Sequence, residues 1–251
     1  MIIDSHTHLP SPGWPGHTNY FASEDLAVNY LKNAGIDAAI FNTWKGVFAE
    51  TEQDVDEANA AALALYDRYP LFLYPGAVIH PSYPETSRKW LDEFRRRGLR
   101  WVGELVQYKC NIEFSEKAWL NLFEYCAGHG HIVQLHVSQG ILKVADSFPK
   151  MQIICSHIDV DFLEKIVSRA NISLDISGST GGLAIGALEK AVTVMGADRV
   201  LFGTDFTGYE PRSFIVRTEA AVSNEQSRRK IFSGNVLGLL KKTGSVAIAN
   251  Q

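Results

Sequence analysis

The sequence predicts an α/β protein, a (β/α)8 TIM barrel that forms a single domain over residues 1–251. Strand-like and helix-like segments alternate along the whole chain as eight βα units, a pattern typical of a parallel sheet with its helices outside. Eight units in 251 residues match the usual length of this barrel. A doubly wound open sheet is the alternative, but its phosphate-binding GxGxxG turn does not follow the first strand.

The predicted strands are short runs rich in apolar residues and bounded by turn residues. The first strand lies at the N-terminus of the chain, so we expect no accessory domain before the barrel. The eight strands cover residues 1–7, 36–43, 71–80, 100–108, 131–137, 151–157, 172–177 and 199–206.

Each strand is followed by a helical pattern with recognisable start and stop residues. Ser23 and Ser115 are predicted N-caps, Gly35 ends the first helix, and Pro70 ends the second. We expect residues from about 243 to 251 to form a weakly ordered tail. The helical segments cover residues 24–35, 51–70, 84–98, 115–130, 159–170, 182–196, 213–223 and 224–242, and a further one ends near 148.

Composition and charge exclude several classes of protein. The net charge of −4, with no basic block, is unlike a nucleic-acid groove or a surface for anionic membranes. Three cysteines without CxxC spacing favour free thiols in a reducing compartment. No apolar run reaches the ~18 residues of a membrane helix, and no signal peptide is visible. We therefore expect a cytoplasmic protein that binds a small molecule and neither nucleic acid nor membrane.

The ends of the predicted strands carry side chains that bind metals. In the opening stretch MIIDSHTHLP, Asp4, His6 and His8 alternate along the first strand and share one face, with Asp4 deeper in the barrel. The active site of such a barrel lies at the C-terminal ends of its strands. Zinc binds imidazole and carboxylate groups, and a catalytic site leaves one position for water. Residues of these types end five strands and predict a divalent-metal site: His6, His8, Glu104, His136, His157 and Asp205.

These residues lie in motifs that resemble one family. His6-Thr7-His8, the strand QLHVS with His136, IICSHI with His157, LDISG, and DRVLFGTDF with Asp205 are similar, as a set, to the amidohydrolase superfamily in the branch called amidohydrolase 2. The resemblance extends to the closing segment KIFSGNVLGLL and covers nearly the whole chain. It implies a metal-dependent TIM-barrel hydrolase or, in some branches, a decarboxylase.

The resemblance also implies a role for each residue of the rim. Asp205 would take a proton from water as general base, and His157 would bind a second metal or orient the water or the substrate. Glu104 is similar to the glutamate that helps to bind a second metal in TatD-like nucleases, although SHI and FGTDF differ from that pattern. The resemblance is therefore compatible with either one or two metal ions. Zinc is the metal expected first, and manganese is the alternative. Four residues would hold the first metal: His6, His8, His136 and Asp205.

The predicted reaction is attack of water on an amide, lactam, lactone or ester bond of a small molecule. A divalent metal polarises a carbonyl and lowers the pKa of bound water, Asp205 can accept the proton, and an unmetallated His157 can stabilise the oxyanion. Three alternatives stay open: a metal-dependent non-oxidative decarboxylase of an aromatic or unsaturated carboxylic acid, a TatD-like nuclease, and a metal-binding barrel without catalysis. The negative net charge disfavours the nuclease.

The loops after the strands supply candidate substrate-binding residues. Aromatic walls with one or two cations suit a small carboxylated or aromatic compound. The long loop after the first strand adds Trp14 and Tyr20 to this wall. The resemblance is also compatible with a homodimer. The candidate substrate contacts are Trp44, Lys45, Tyr108 and Arg212.

Overall fold

Eight parallel strands follow one another around the barrel in the computed structural model, which describes residues 1–11, 21–178, 182–246 and 248. This arrangement confirms the predicted (β/α)8 fold. The strands are β1 (Ile3–Leu9), β2 (Ala38–Thr43), β3 (Leu73–Pro75), β4 (Trp101–Leu105), β5 (Ile132–His136), β6 (Gln152–Ser156), β7 (Ile172–Asp175) and β8 (Val200–Leu201).

Backbone pairing closes the barrel at the two seams between the sheets β1-β2-β3 and β4-β5-β6-β7-β8. At one seam Ala77, just after β3, pairs with β4. At the other seam Thr7 pairs with Phe206, and the Asp205 N–H donates to the His6 carbonyl over 2.8 Å. The second seam therefore fixes β1 and the chain after β8, both of which carry predicted metal ligands, against each other.

The helices lie between successive strands, and two short ones, after β2 and β4, lie on the rim at the strand ends. Ser23 caps the first helix, as predicted, by accepting a hydrogen bond from the Leu26 N–H. No helix within the described ranges is long and apolar enough to cross a membrane. The helices are α1 (Glu24–Asn33), α2 (Trp44–Val47), α3 (Glu52–Arg68), α4 (Pro84–Arg96), α5 (Gln107–Cys110), α6 (Lys117–Gly128), α7 (Gly140–Ser147), α8 (Leu163–Ile166), α9 (Ala187–Met195), α10 (Pro211–Ala221), α11 (Glu225–Arg229) and α12 (Asn235–Lys242).

Three helix predictions need correction. The helix expected over 159–170 forms only the four-residue α8, with turns on both sides. Ser115 does not cap α6, which begins at Lys117 after Glu116. The Glu116 carboxylate instead accepts the Glu113 N–H over 2.8 Å and closes a turn before the helix. The last helix, expected over 224–242, divides into α11 and α12 around a π-helical turn at Lys230–Gly234. Such turns interrupt the regular hydrogen-bond ladder of a helix.

The chain after α12 packs against the N-terminal end of the barrel. The Val246 N–H and the Ser245 hydroxyl both donate to the Gly98 carbonyl, over 3.0 and 2.9 Å. The Tyr74 hydroxyl contacts Ser245, and burial raises the pKa of Tyr74 to about 12. Ile248 is buried. These residues of the expected tail are therefore held by the barrel, whereas 247 and 249–251 lie outside the described residues.

The buried His131, just before β5, makes stability depend on pH. It is 1% exposed, and neither ring nitrogen has a hydrogen-bond partner within the described parts of the chain. Burial, assisted by the charge of Arg100, lowers its pKa from 6.5 to about 4. Between these values the unfolded chain binds a proton that the folded protein does not, so the free energy of unfolding falls as the pH falls.

His131→Phe is expected to remove this pH dependence, because phenylalanine has no group that titrates. In urea unfolding of metal-free protein, the wild type should lose about 2 kcal/mol more than the variant between about pH 7.5 and pH 5. Equal losses in the two proteins would contradict the assignment.

Candidate metal centre

Strand β1 brings two imidazoles to the C-terminal end of the barrel. His6 and His8 lie two residues apart on one strand, each is 1% exposed, and their Nε2 atoms are 3.1 Å apart. The pairing of β1 with β2 shifts register between Asp4 and Thr7, and such irregularities change the direction of side chains. Strand alternation and this shift together direct both Nε2 atoms toward one point.

Two carboxylates complete a set of four converging atoms. Glu104 Oε2 lies 3.4 Å from His6 Nε2 and 3.5 Å from His8 Nε2. Asp205 Oδ1 lies 3.8 and 3.2 Å from the same two atoms. Ligand atoms about 2.1 Å from a tetrahedral cation lie about 3.4 Å from one another. The spacing of the two imidazole nitrogens with either carboxylate oxygen therefore fits one divalent cation.

The other oxygen of Glu104 faces a second pair of imidazoles. Glu104 Oε1 lies 3.1 Å from His136 Nδ1 and 3.3 Å from His157 Nε2. The rings of His136 and His157 lie 4.8 Å apart and nearly perpendicular to each other. The carboxylate thus lies between two groups of imidazoles, with one oxygen directed toward each group.

Among the described residues, two groups of side chains have potential ligand atoms that all lie within 4.8 Å of one another. One group contains His8 and Asp205, the other contains Glu104 and His157, and His6 belongs to both. His136 belongs to neither group, so its role as a ligand rests on its contact with Glu104 and stays a prediction.

The charges of the cluster also fit cations. Burial alone would raise the pKa of Glu104, but His6, His136 and His157 hold it well below its usual range. Burial alone would lower the pKa of His6, but the carboxylates of Asp175 and Glu104 raise it well above its ordinary value. Buried carboxylates need opposite charge beside them, and divalent cations held by neutral imidazoles would supply it.

Asp175, at the end of β7, holds His6 in place. This fully buried carboxylate accepts the His6 Nδ1–H over 3.0 Å, which leaves the His6 Nε2 lone pair for a metal. It also accepts hydrogen bonds from the Gln134 amide over 2.9 Å and from the backbone N–H groups of His157 and Ser177. Asp175 is not among the site residues predicted from the sequence, although it too is a polar residue at the end of a predicted strand.

Asp4 lies behind the ligands, as its deeper position on β1 predicts. Its carboxylate accepts hydrogen bonds from the Thr204 N–H over 3.0 Å, the Thr204 hydroxyl over 2.6 Å and the His6 N–H over 3.2 Å. Burial raises its pKa to about 7. Asp4 therefore links β1 to the chain after β8 just below the candidate ligands.

Two candidate ligands have left-handed backbone conformations. His157 has a φ of 66° and Asp205 a φ of 64°, a region that residues other than glycine rarely adopt. Two of the imidazoles lie where only glycine leaves room for them. A Cβ on Gly178, itself at φ 75°, would lie 2.7 Å from His157 Nδ1. A Cβ on Gly203 would lie 2.9 Å from the Cβ of His6. The backbone is thus adapted to the placement of these ligands.

The structure brings only some of the predicted substrate contacts to the cluster. The Trp44 ring lies 4.4 Å from the His8 ring, and the half-exposed Tyr108 contacts the His136 ring. Lys45, by contrast, pairs with the carboxylates of α3. Trp14 and Tyr20 lie outside the described residues.

Arg212 is likewise engaged away from the cluster. It forms an ion pair with Glu210 at 3.0 Å and donates to the Asn33 carbonyl over 2.9 Å. Its guanidinium also lies over the Tyr30 ring. A role of Arg212 in substrate binding therefore stays a prediction without a contact to the cluster.

An amidohydrolase family model matches residues 3–241 of the chain. The chain belongs to the amidohydrolase family. This confirms the resemblance carried by the His6-Thr7-His8 pair and by the motifs around His136, His157 and Asp205. Among curated proteins, none matches the chain.

Solved structures of similar fold include three decarboxylases. The 5-carboxyvanillate decarboxylase of Novosphingobium aromaticivorans, complexed with manganese and 4-hydroxy-3-methoxy-5-nitrobenzoic acid, has a TM-score of 0.78 and 14% identity, covering 96% of both chains. The 2,6-dihydroxybenzoate decarboxylase of Rhizobium has a TM-score of 0.76 and 16% identity, covering 96% of this chain and 98% of its own. The dihydroxybenzoic acid decarboxylase of Polaromonas, with manganese and 2-nitroresorcinol, has a TM-score of 0.76 and 16% identity, covering 96% of both chains. At these identities the likeness shows the fold alone.

Asp175→Asn is expected to weaken metal binding by about 10- to 100-fold, because the neutral amide holds the His6 Nδ1–H less strongly. Competition between the protein and a fluorescent chelator measures the dissociation constant. Asp161→Asn, which changes an exposed carboxylate in the loop after β6, is the control and should bind metal like the wild type. Unchanged metal affinity in Asp175→Asn would contradict the assigned role.

Proposed function

We propose that this protein is a hydrolase that uses two divalent cations, bridged by Glu104, to cleave an amide, lactam, lactone or ester bond of a small molecule. One observation carries the proposal: the two oxygens of Glu104 face different groups of imidazoles, at 3.1 to 3.5 Å. A carboxylate in this position is one that two neighbouring cations can share, as in two-metal hydrolytic sites.

The donor atoms divide between two cations in this proposal. His6, His8, Asp205 and Glu104 Oε2 would hold the first, and Glu104 Oε1 would hold the second together with two imidazoles, those of His136 and His157. When bound, such cations polarise a carbonyl group and lower the pKa of water. Imidazole and carboxylate suit both zinc and manganese, and manganese is bound in two of the similar decarboxylases.

Asp205 is the group to which we assign the proton of the attacking water. Its side chain is 18% exposed, whereas that of Glu104 is 4% exposed, so Asp205 is the carboxylate on the open side of the cluster. Its backbone N–H is held by the His6 carbonyl, which fixes the carboxylate beside the first cation position. A carboxylate fixed within reach of water acts as a general base.

A non-oxidative decarboxylase is the second candidate, because three proteins of similar fold have that activity by name. Loss of carbon dioxide needs neither an attacking water nor a second cation. The position of Glu104 between two groups of imidazoles, which a reaction with one cation does not need, favours the hydrolase. The hydrolase is therefore the better supported of the two candidates.

Glu104→Gln tests the bridging role directly. Elemental analysis should find about two ions per chain in metal-loaded wild-type protein and about one in the variant, because a neutral amide is a poor bridge. Hydrolysis of a panel of lactones, esters and amides should fall in the variant by at least about 100-fold, since the bridge positions both ions.

The decarboxylase candidate is tested on the same preparations with a panel of aromatic and unsaturated carboxylic acids. Glu113→Gln, which changes an exposed glutamate before α6, is the matched control and should keep both metal content and activity. The hydrolase would be refuted, and the decarboxylase supported, by two results together. These are one ion per chain in both wild type and Glu104→Gln, and release of carbon dioxide without cleavage of esters or amides.

A further inference from the structure

The imidazole of His157 has a polar neighbour at each of its two nitrogens. Its Nε2 lies 3.3 Å from Glu104 Oε1, on the side assigned to the second cation. Its Nδ1 lies 2.9 Å from the hydroxyl of Ser177, the hydrogen-bond partner of this nitrogen within the described parts of the chain. The hydrogen bond made by one ring nitrogen decides whether the other is available to a metal. The contact with Ser177 therefore bears directly on what Nε2 can bind.

The Ser177 hydroxyl acts as an acceptor toward His157. This buried hydroxyl donates its proton to the Asp175 carboxylate, and the Ser177 N–H donates to the same oxygen over 3.0 Å. An ionised carboxylate only accepts hydrogen bonds, and a hydroxyl has one proton to donate. The Ser177 oxygen can thus only accept from His157 Nδ1. This hydrogen bond places the imidazole proton on Nδ1 and leaves the Nε2 lone pair for a metal.

The same hydroxyl is less important for His6, on the other side of Glu104. The Ser177 oxygen lies 2.9 Å from His6 Nδ1, but Asp175 already accepts that N–H over 3.0 Å. Loss of the hydroxyl would therefore leave His6 with its carboxylate acceptor. It would leave the Nδ1–H of His157 without an acceptor among the described residues. The Ser177 hydroxyl thus matters more for the second cation position than for the first.

The backbone encloses the Nδ1 side of the His157 ring. Gly178, next to Ser177, has a φ of 75°, and a Cβ there would lie 2.7 Å from His157 Nδ1. The backbone N–H of His157 donates to Asp175 over 3.2 Å, so the turn after β6 is held against the end of β7. Nε2 is therefore the nitrogen of this ring that faces the Glu104 carboxylate.

We propose that Ser177 is a positioning residue that fixes the orientation and the proton of His157, so that the Nε2 lone pair is directed at the second cation. The inference rests on the proposed two-cation centre and adds a residue that acts on one cation far more than on the other. A hydrogen bond to the far nitrogen of a metal-binding imidazole orients the ring and makes it a stronger ligand, and its loss typically weakens metal binding by about 10- to 100-fold.

Ser177→Ala is expected to weaken binding of the second zinc ion by about 10- to 100-fold and binding of the first by less than about threefold. Stepwise titration of metal-free protein with zinc, in competition with a fluorescent chelator, measures both dissociation constants. Ser156→Ala is the matched control. It removes an equally buried hydroxyl that directly precedes His157 but has no hydrogen-bond partner within the described residues. This control should bind both ions like the wild type.

NMR of protein labelled with ¹⁵N-histidine supplies a readout that a merely structural role would not move. The signals of His157 are those missing from the spectrum of His157→Gln. At saturating zinc, the wild type and Ser156→Ala should show a proton on His157 Nδ1 that exchanges slowly with water, because a buried hydroxyl accepts it. In Ser177→Ala this proton should exchange too fast to be seen. A slowly exchanging Nδ1 proton in Ser177→Ala would overturn the inference.

The zinc titration also separates this inference from the proposed function. Two ions in the wild type, with an unchanged second ion or an equal loss of both ions in Ser177→Ala, overturn the role of Ser177 alone. A single ion in the wild type refutes the two-cation hydrolase and this inference together. Selective loss of the second ion, in a protein that cleaves no lactone, ester or amide, supports the inference and refutes the hydrolase.

Discussion

The buried carboxylate of Glu104, surrounded by imidazoles, is the constraint on which the rest of the site depends. An ionised carboxylate taken out of water is costly unless opposite charge lies beside it. Here the side chain is 4% exposed, and four imidazoles lie within 3.5 Å of its two oxygens. The imidazoles hold the pKa of this carboxylate well below its usual range, and bound cations would supply the same opposite charge.

The barrel supplies the geometry that this constraint demands. Closure between β1 and the chain after β8 fixes His6 against Asp205 through a backbone hydrogen bond of 2.8 Å. Below that contact, Asp4 and Asp175 hold the backbone N–H and the ring N–H of His6. The ligands are thus oriented by a second layer of buried carboxylates, which is how proteins usually fix metal-binding imidazoles.

The sequence predicts the fold and most of the cluster, because strand alternation and the position of active sites in barrels are regular rules. Those rules do not give side-chain contacts across the barrel, so the two-sided position of Glu104 becomes visible only in three dimensions. Whether a cationic side chain on the rim already pairs with a carboxylate also depends on contacts between elements, which the sequence does not give. The sequence therefore offers Lys45 and Arg212, whereas the structure pairs both with carboxylates.

The most direct test of the account is anomalous X-ray diffraction from crystals of the zinc-loaded protein, recorded on both sides of the zinc absorption edge. Two anomalous peaks are expected, one on each side of the Glu104 carboxylate, with the first among His6, His8 and Asp205 and the second beside His157. A single fully occupied peak, with both Glu104 oxygens on one ion or turned away from it, would contradict the two-cation centre.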